Sequence, residues 1–460
     1  MNEKMNDAFK IVNILDRHNF KGFVVGGAVR DLLTMRKMHD VDIATNARPK
    51  QVTNIFKRDG FKVEPLGIEF GTVLVHGNGL STPVEVTTFR NEGKYSDGRH
   101  PDFVEFSNTI EEDLSRRDFT INAIAFNPLN ETFVDPFGGA FDLLRGQIKA
   151  VGNPRERFEE DPLRLMRMCR FTGKMMFGID EDTKEAAKKA ANQITRISPE
   201  RIKDELDKIM DLGFQRMDMA LILMYQTGIM EHVLPEVVNL KGVDQPSEHH
   251  KYDAFEHTLN VVRFLNIDTN IDRNLLYAGL FHDIGKEKMN EESPYFPDHA
   301  KRSGEMFDNI ADRLKFSNDE RRHIKFLVER HMDFANDWIL EEKYMRRYIN
   351  RNNDYIDIIP QLFRLKMADV NGSGYGKSNR MKFINRAREL FDKVLNEKQP
   401  FSRSDLKVNG NDVIDAGVGA GRMVGVILDI ILEEVIEHPE WNERERLLDR
   451  IDELISEMLK

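Results

Sequence analysis

The stretch at residues 23–45, FVVGGAVRDLLTMRKMHDVDIAT, constrains this chain more than any other. A β-branched apolar run at residues 23–25 reaches Gly26 and Gly27. A helical pattern follows, and then a second strand-like run carries Asp40 and Asp42. The pattern predicts strand, tight turn, helix and strand, a βαβ-like unit. Paired glycines before a helix let backbone approach an anion, and the free N–H groups of that helix favour phosphate. Arg30 adds a charge-assisted contact in the first turns. Asp40 and Asp42, two apart on a strand, share a face and are placed to clasp one hard cation. Taken singly, a GG turn is a turn and a DxD pair caps a strand end. Their adjacency within about twenty residues points to a site that moves nucleotides.

GGAVRD followed by DVDIATNARP resembles the head domain of the tRNA nucleotidyltransferase and poly(A) polymerase family, in its bacterial and eukaryal class. The resemblance implies a polymerase-β-like mixed-sheet head, catalytic magnesium held by Asp40 and Asp42, and an α+β protein whose remainder is helical.

At 460 residues the chain exceeds one ordinary domain, and 40% hydrophobic with 32% charged residues describes a globular protein with apolar mass for its cores. Nowhere do eighteen apolar residues run together, and the N-terminal stretch lacks an uninterrupted apolar segment, so a cytoplasmic protein without a membrane partner is expected. A lone cysteine, Cys169, forms no intramolecular disulfide and is read as a core residue. The net charge of −11 excludes a protein that coats nucleic acid indiscriminately by charge. It leaves room for one basic groove on an acidic surface.

Along the chain, residues 1–20 read as an amphipathic helix with Phe9, Val12, Ile14 and Leu15 near one face. Pro49 starts another helix, and GTVLVHG and TPVEVTTFR read as strands. Glu85 points away from Val84 and Val86, either completing a three-acid site with Asp40 and Asp42 or facing solvent on an edge strand. VEVTTFR matches the family's third acidic strand. The polar stretch from residue 91, with Lys94, Arg99 and His100, reads as a mobile loop, and its DGRHP core resembles the loop the family uses when adenine is added.

SRRDFTINAIAFNP places Arg116, Arg117, Asp118 and Asn122 at the start of an apolar helical pattern. Arginines there suit a triphosphate, and Asp118 with Asn122 suits a ribose hydroxyl. RRDFTINA matches a family signature. FVDPFGG and DLLRG, with Asp142 and Gly146, resemble the family's hinge between head and neck.

From Phe158 the pattern is helical, and on one helix Asp161 and Arg164 share a face that Arg167 and Arg170 continue. Cytosine and adenine present an amino donor beside a ring-nitrogen acceptor, whereas guanine and uracil present a carbonyl beside an N–H. A carboxylate next to a guanidinium therefore matches C and A and mismatches U and G. Such a pair is ordinarily a solvated ion pair. EDPLRLMRMCRF, however, matches the family's nucleotide-reading motif, and ITRISPERIKDELDKIM resembles its neck helix.

After a linker at residues 243–250, His257, then His282 and Asp283 in GLFHDIGK, then Asp369 in RLKMADVNG stand in the order H, HD, D on helical segments. Imidazoles and carboxylates from separate helices suit a divalent transition metal that activates water on a phosphoester. This series resembles the HD phosphohydrolase superfamily, whose binuclear members place two more ligands where His299 and His331 stand. The last segment resembles the family's RNA-binding tail. Its Gly417, Gly419, Gly421 and Gly425 suit either RNA phosphates or close helix contacts.

The expected division is a head at 1–150, a helical neck at 151–245, an HD domain at 246–372 and a tail at 373–460. The function implied is addition of CCA to tRNA from CTP and ATP. Poly(A) polymerase, an enzyme adding A alone, and an HD phosphohydrolase with a nucleotide-sensing head are the alternatives. The sequence leaves the oligomeric state open.

Overall fold

The computed structural model describes residues 3–38, 40–66, 71–92, 104–245, 251–267, 272–286, 298–334, 341–374 and 379–458. Lys94, Arg99, His100 and most of the linker before residue 251 lie outside the described residues. The chain divides into two compact units, Met1–Val238 and Asn239–Lys460.

The first unit opens with α1 (Glu3–Arg17), β1 (Gly22–Val25), α2 (Gly27–Leu33), β2 (Asp42–Thr45), α3 (Pro49–Arg58), β3 (Lys62–Pro65), β4 (Thr72–His76) and β5 (Val84–Thr88). A hairpin of β6 (Arg90–Glu92) and β7 (Val104–Phe106), α4 (Ile110–Ser115), β8 (Ala125–Asn127), β9 (Thr132–Val134) and α5 (Gly139–Arg145) complete the head. Seven strands form one mixed sheet in the order β3-β4-β5-β2-β1-β8-β9. Strand alternation sorts its two faces. Val24, Ile43, Val84, Val86 and Phe126 pack into one core with residues of α1, α2 and α3. Val25, Ala44 and Ala125 turn to the other face and pack with Ile110 and Leu114 of α4.

Three expectations need correction. β1 and β2 pair antiparallel, so the opening unit is not a parallel crossover; the seven-residue α2 returns the chain beside β1 running the other way. The buried face of α1 is Asp7, Ala8, Ile11, Val12, Ile14 and Leu15, while Phe9 is exposed. The apolar run after Arg117 is not a helix. A single 3₁₀ turn at Thr120–Asn122 leads into β8, because so short an apolar run, paired with β1 and β9, is satisfied by a buried strand.

Helices follow: α6 (Pro154–Glu160), α7 (Leu163–Met175), α8 (Glu181–Ala190), α9 (Pro199–Met210), α10 (Arg216–Gln226), α11 (Ile229–Val233) and α12 (Pro235–Val238). α7 packs on α9 and α10. Cys169 is fully buried on α7, and burial pushes its thiol pKa up, as a core residue requires.

The second unit is helical among its described residues: α13 (Ala254–Leu265), α14 (Arg273–Phe281), α15 (His299–Leu314), α16 (Asn318–Arg330), α17 (Glu342–Arg351), α18 (Ile359–Gly372), α19 (Asn379–Asn396), α20 (Gly410–Asp415), α21 (Arg422–Glu437) and α22 (Arg444–Met458). α20, α21 and α22 share a separate apolar core built on Val413, Ile427, Ile431, Val435 and Ile451.

Candidate active site

β2 and β5 run parallel with Asp42 opposite Glu85, so both carboxyl groups leave the sheet on the face that α1 and α3 do not cover. Asp40 is exposed in the segment before β2. Desolvation in the cleft, then Glu85, push the Asp42 pKa up to about 6, with Asp40 adding to the rise and Arg117 opposing it. Gly26 holds φ +70°, and a Cβ there would stand 3.7 Å from the Asp42 carboxylate and 3.5 Å from Arg117 Nη1. Glycine therefore serves both the turn and the close approach.

The second wall comes from the end of α4. Asp113, 1% exposed, accepts from Arg116 at 2.8 Å and from Arg117 at 3.0 Å. Burial alone would raise its pKa, but the two guanidinium groups hold it below the ordinary carboxylate range. Asp113 thus aims both arginines, a role the sequence reading missed although EEDLSRR carries the i to i+3 and i+4 spacing. Asp118 accepts from Arg167 Nη2 at 2.6 Å and from Asn122 Nδ2 at 3.0 Å. Against burial, Arg167 and Asn122 pull its pKa down to about 2. The Asn122 side-chain oxygen accepts in turn from Arg30.

The third wall is α7, where the expected geometry changes. Asp161 is not on the helix with Arg164: it adopts an extended backbone at the end of α6, as a residue preceding proline is driven to do. Its Oδ1 accepts from the Leu163 N–H at 3.1 Å and its Oδ2 from Arg201 at 3.0 Å. Arg164 pairs with Glu160 at 2.8 Å, not with Asp161. It also donates to the carbonyls of Arg157 and Arg116. Three of its five N–H groups are so used, which leaves the Nε–H and one Nη2–H without a partner among the described residues. Arg170 pairs with the buried Glu205. The guanidinium groups of Arg30, Arg167 and Arg170 all lie over the Phe171 ring, at 5.5, 5.3 and 4.4 Å, so one aromatic ring gathers three like charges.

These walls enclose a polar cavity of about 470 Å³ lined by Gly26, Gly27, Arg30, Asp42, Arg117, Asp118, Asp161, Arg164, Arg167 and Arg170. Arg90, Arg116, Asn122, Phe171 and Lys174 line it as well. Arg90, Phe171 and Lys174 were not anticipated as site residues. For the last two the signal was present, since residues 164, 167, 171 and 174 fall on one helical face. Glu85 and Asp40 are not part of the cavity lining. Carboxylate oxygens alone make the head's donor set, which fits a hard cation such as magnesium.

A second cluster lies in the other unit. His257, His282 and Asp369 form one group and Asp283, His299 and His331 another, with the ligand atoms of each group mutually within 4.8 Å. Asp283 joins them. Its Oδ2 is 3.2 Å from His282 Nε2 and 3.7 Å from His257 Nε2, while its Oδ1 is 3.3 Å from His299 Nε2 and 3.6 Å from His331 Nε2. His282 and His331 donate from Nδ1 to the carbonyls of Gly279 and Val328 at 2.9 and 2.7 Å. Those bonds fix the tautomer with the Nε2 lone pair facing the cluster. Lys286 and Lys366 neutralise Asp283 and Asp369 at 2.6 and 2.8 Å. Burial, then repulsion from His282 and His299, hold His331 well below the ordinary histidine pKa, so it stands neutral, as a metal ligand must be. Mixed nitrogen and oxygen donors fit a transition metal better than magnesium.

Comparisons with known proteins match three families along the chain. The Poly A polymerase head domain family matches residues 22–149, the family described as a probable RNA and SrmB-binding site of polymerase A matches 176–240, and the HD domain family matches 254–359. A CCA-adding enzyme of Anoxybacillus flavithermus is 43% identical over 241 residues, 52% of this chain and 58% of that relative. The chain spans little more than half the length of that relative. A CCA-adding enzyme of Lactococcus lactis subsp. cremoris is 38% identical over 461 residues, 98% of this chain and 97% of the relative. The crystal structure of the Bacillus stearothermophilus CCA-adding enzyme in complex with CTP superposes with a TM-score of 0.67 at 28% identity, covering 100% of this chain and 99% of that one. On this full-length similarity the chain belongs to the family of CCA-adding enzymes.

Proposed function

We propose that the head cavity adds C, C and A to the 3′ end of tRNA from CTP and ATP and releases pyrophosphate. The observation that carries this reading is the convergence, in one cavity, of the Asp42 carboxylate, an arginine-rich wall and the separately held Asp161 and Arg164 side chains. The Bacillus stearothermophilus relative, solved with CTP, supports it. The names of the relatives favour CCA addition over poly(A) synthesis or a nucleotide-sensing phosphohydrolase.

Asp40 and Asp42 would hold magnesium, with Glu85 alongside. When bound, the ion supplies charge stabilisation to the attacking 3′ oxygen and to the α-phosphate. Gly26 and Gly27 give the triphosphate room to approach the backbone, and Arg30 and Arg117 neutralise it. Asp118, fixed by Arg167 and Asn122, faces the ribose hydroxyls. The unpartnered N–H groups of Arg164 donate to the ring nitrogen of C or A, and the Asp161 carboxylate accepts from the amino group. Uracil and guanine would set a carbonyl oxygen against that carboxylate. Arg167 and Arg170 complete the nucleotide-facing surface.

The four-part division at 1–150, 151–245, 246–372 and 373–460 and a cytoplasmic location belong to the same proposal. Among the described residues no helix is long and apolar enough to cross a membrane. The two histidine groups joined by Asp283 favour a second reading for the other unit, metal-dependent phosphoester hydrolysis.

The test is incubation of a tRNA transcript lacking its last three nucleotides with CTP and ATP. Extension by C, C and A is expected. A long A tail, or addition of A only to a transcript already ending in CC, would replace the reading with one of its alternatives.

A further inference from the structure

α7 continues one turn beyond Arg170 and brings Lys174 to the same cavity. Two cations there lack the carboxylate partners that their neighbours have. Arg170 is paired with Glu205 and Arg167 with Asp118. Arg30, 5% exposed, donates only to the neutral amide of Asn122 among the described residues, and its buried Nε has no partner. Lys174 is exposed, lines the cavity and makes no hydrogen bond or ion pair among the described residues. Partial burial of the ammonium, then Arg30 and Arg170, lower its pKa from the ordinary lysine value, with Arg216 adding to this and Asp31 opposing. A lysine on solvent-facing surface would normally turn away from two arginines. The Lys174 backbone is closely held: a Cβ on Gly173 would lie 2.2 Å from the Arg216 carbonyl, so α7 and α10 are in backbone contact beside it.

Distance along α7 assigns the two ends of the cavity. Arg164 and Lys174 are ten residues apart, roughly 15 Å at the helical rise, a span that suits an extended nucleoside triphosphate. With the base at Asp161 and Arg164, the far end receives the β- and γ-phosphates. Resting on the nucleotide-adding function proposed above, we infer that Lys174, together with Arg30, forms the pyrophosphate end of the site. It holds the terminal phosphates during transfer and the pyrophosphate before it leaves. Lys174 is a positioning residue in this account, since it binds the leaving group and makes or breaks no bond.

The experiment compares full-length wild type, Lys174→Gln and Lys174→Arg. Binding of inorganic pyrophosphate, CTP and CMP is measured by titration calorimetry, and KM and kcat for CTP and ATP by tRNA extension, with thermal melting to verify the fold. Lys174→Gln is expected to weaken pyrophosphate and CTP binding about tenfold and to raise KM for CTP and ATP by a similar factor. CMP binding and selectivity against UTP should stay unchanged, and Lys174→Arg should recover most of the loss. Pyrophosphate binding within twofold of wild type, or an equal loss for CMP, overturns the assignment. Should the wild type extend no tRNA, the nucleotide-adding function fails by itself, while the pyrophosphate and CMP titrations still decide the role of Lys174. If Lys174→Gln does not fold, Lys174→Met takes its place: a tenfold loss of pyrophosphate binding with CMP binding unchanged supports the assignment, and pyrophosphate binding within twofold of wild type overturns it.

Discussion

Asp42 and Glu85 are register partners on adjacent parallel strands. Their carboxyl groups share one face of the sheet, and desolvation in the cleft, then the neighbouring Glu85 charge, push the Asp42 pKa up to about 6. A site that keeps like charges side by side is organised for a cation. Asp42→Ala is expected to lower nucleotide addition by about a thousandfold or more, while phosphoester hydrolysis in the other unit stays at the wild-type rate. Loss of both activities in a folded variant would contradict two independent sites.

Asp118 links acidity to stability. Its folded pKa of about 2 lies below the unfolded value, so it stabilises the fold above pH 4, and that contribution fades as pH falls from 4 to 2. The displacement corresponds to about 2 kcal/mol. Asp118→Asn should therefore destabilise the first unit by about that amount at pH 7, and the gap to wild type in urea unfolding should narrow towards pH 2. A gap that does not change with pH would assign the loss to packing.

His282→Ala combined with Asp283→Ala removes one imidazole and the carboxylate that joins both histidine groups. Binding of nickel, manganese or cobalt should fall by at least about a hundredfold, and hydrolysis of 2′,3′-cyclic phosphate, 3′-phosphate or nucleotide substrates should vanish with it. CCA addition should be spared. If wild type hydrolyses none of these substrates with any of the metals, the cluster is a scaffold.

The head was legible where chemistry and short-range pattern coincide. Gly26 and Gly27 before α2 and Asp42 at the start of β2 follow from glycine conformations and strand alternation, and the HD series could be read from the order of His257, His282, Asp283 and Asp369. What the sequence concealed depends on long-range placement. Whether β2 runs parallel or antiparallel to β1 is decided by where the chain re-enters the sheet, not by residues 23–45. The run around Ala125 is too short for periodicity to separate strand from helix. Asp161 is different, because its signal was in plain view: Pro162 forces it out of the helix and so releases Arg164 to pair with Glu160. Asp113 was missed because its role is to aim Arg116 and Arg117 from a buried position.

The most direct test is the relative kcat/KM for CTP, ATP, UTP and GTP, for wild type and Asp161→Ala, on a tRNA ending at the discriminator base or at CC. In this account the Asp161 carboxylate both accepts from the amino group of C or A and repels the carbonyl of U or G. A mismatched polar pair in such a site costs on the order of 1 to 3 kcal/mol, so discrimination against UTP and GTP should fall by roughly ten- to a hundredfold. Equal loss of activity toward all four triphosphates, with selectivity unchanged, would contradict base reading by these side chains.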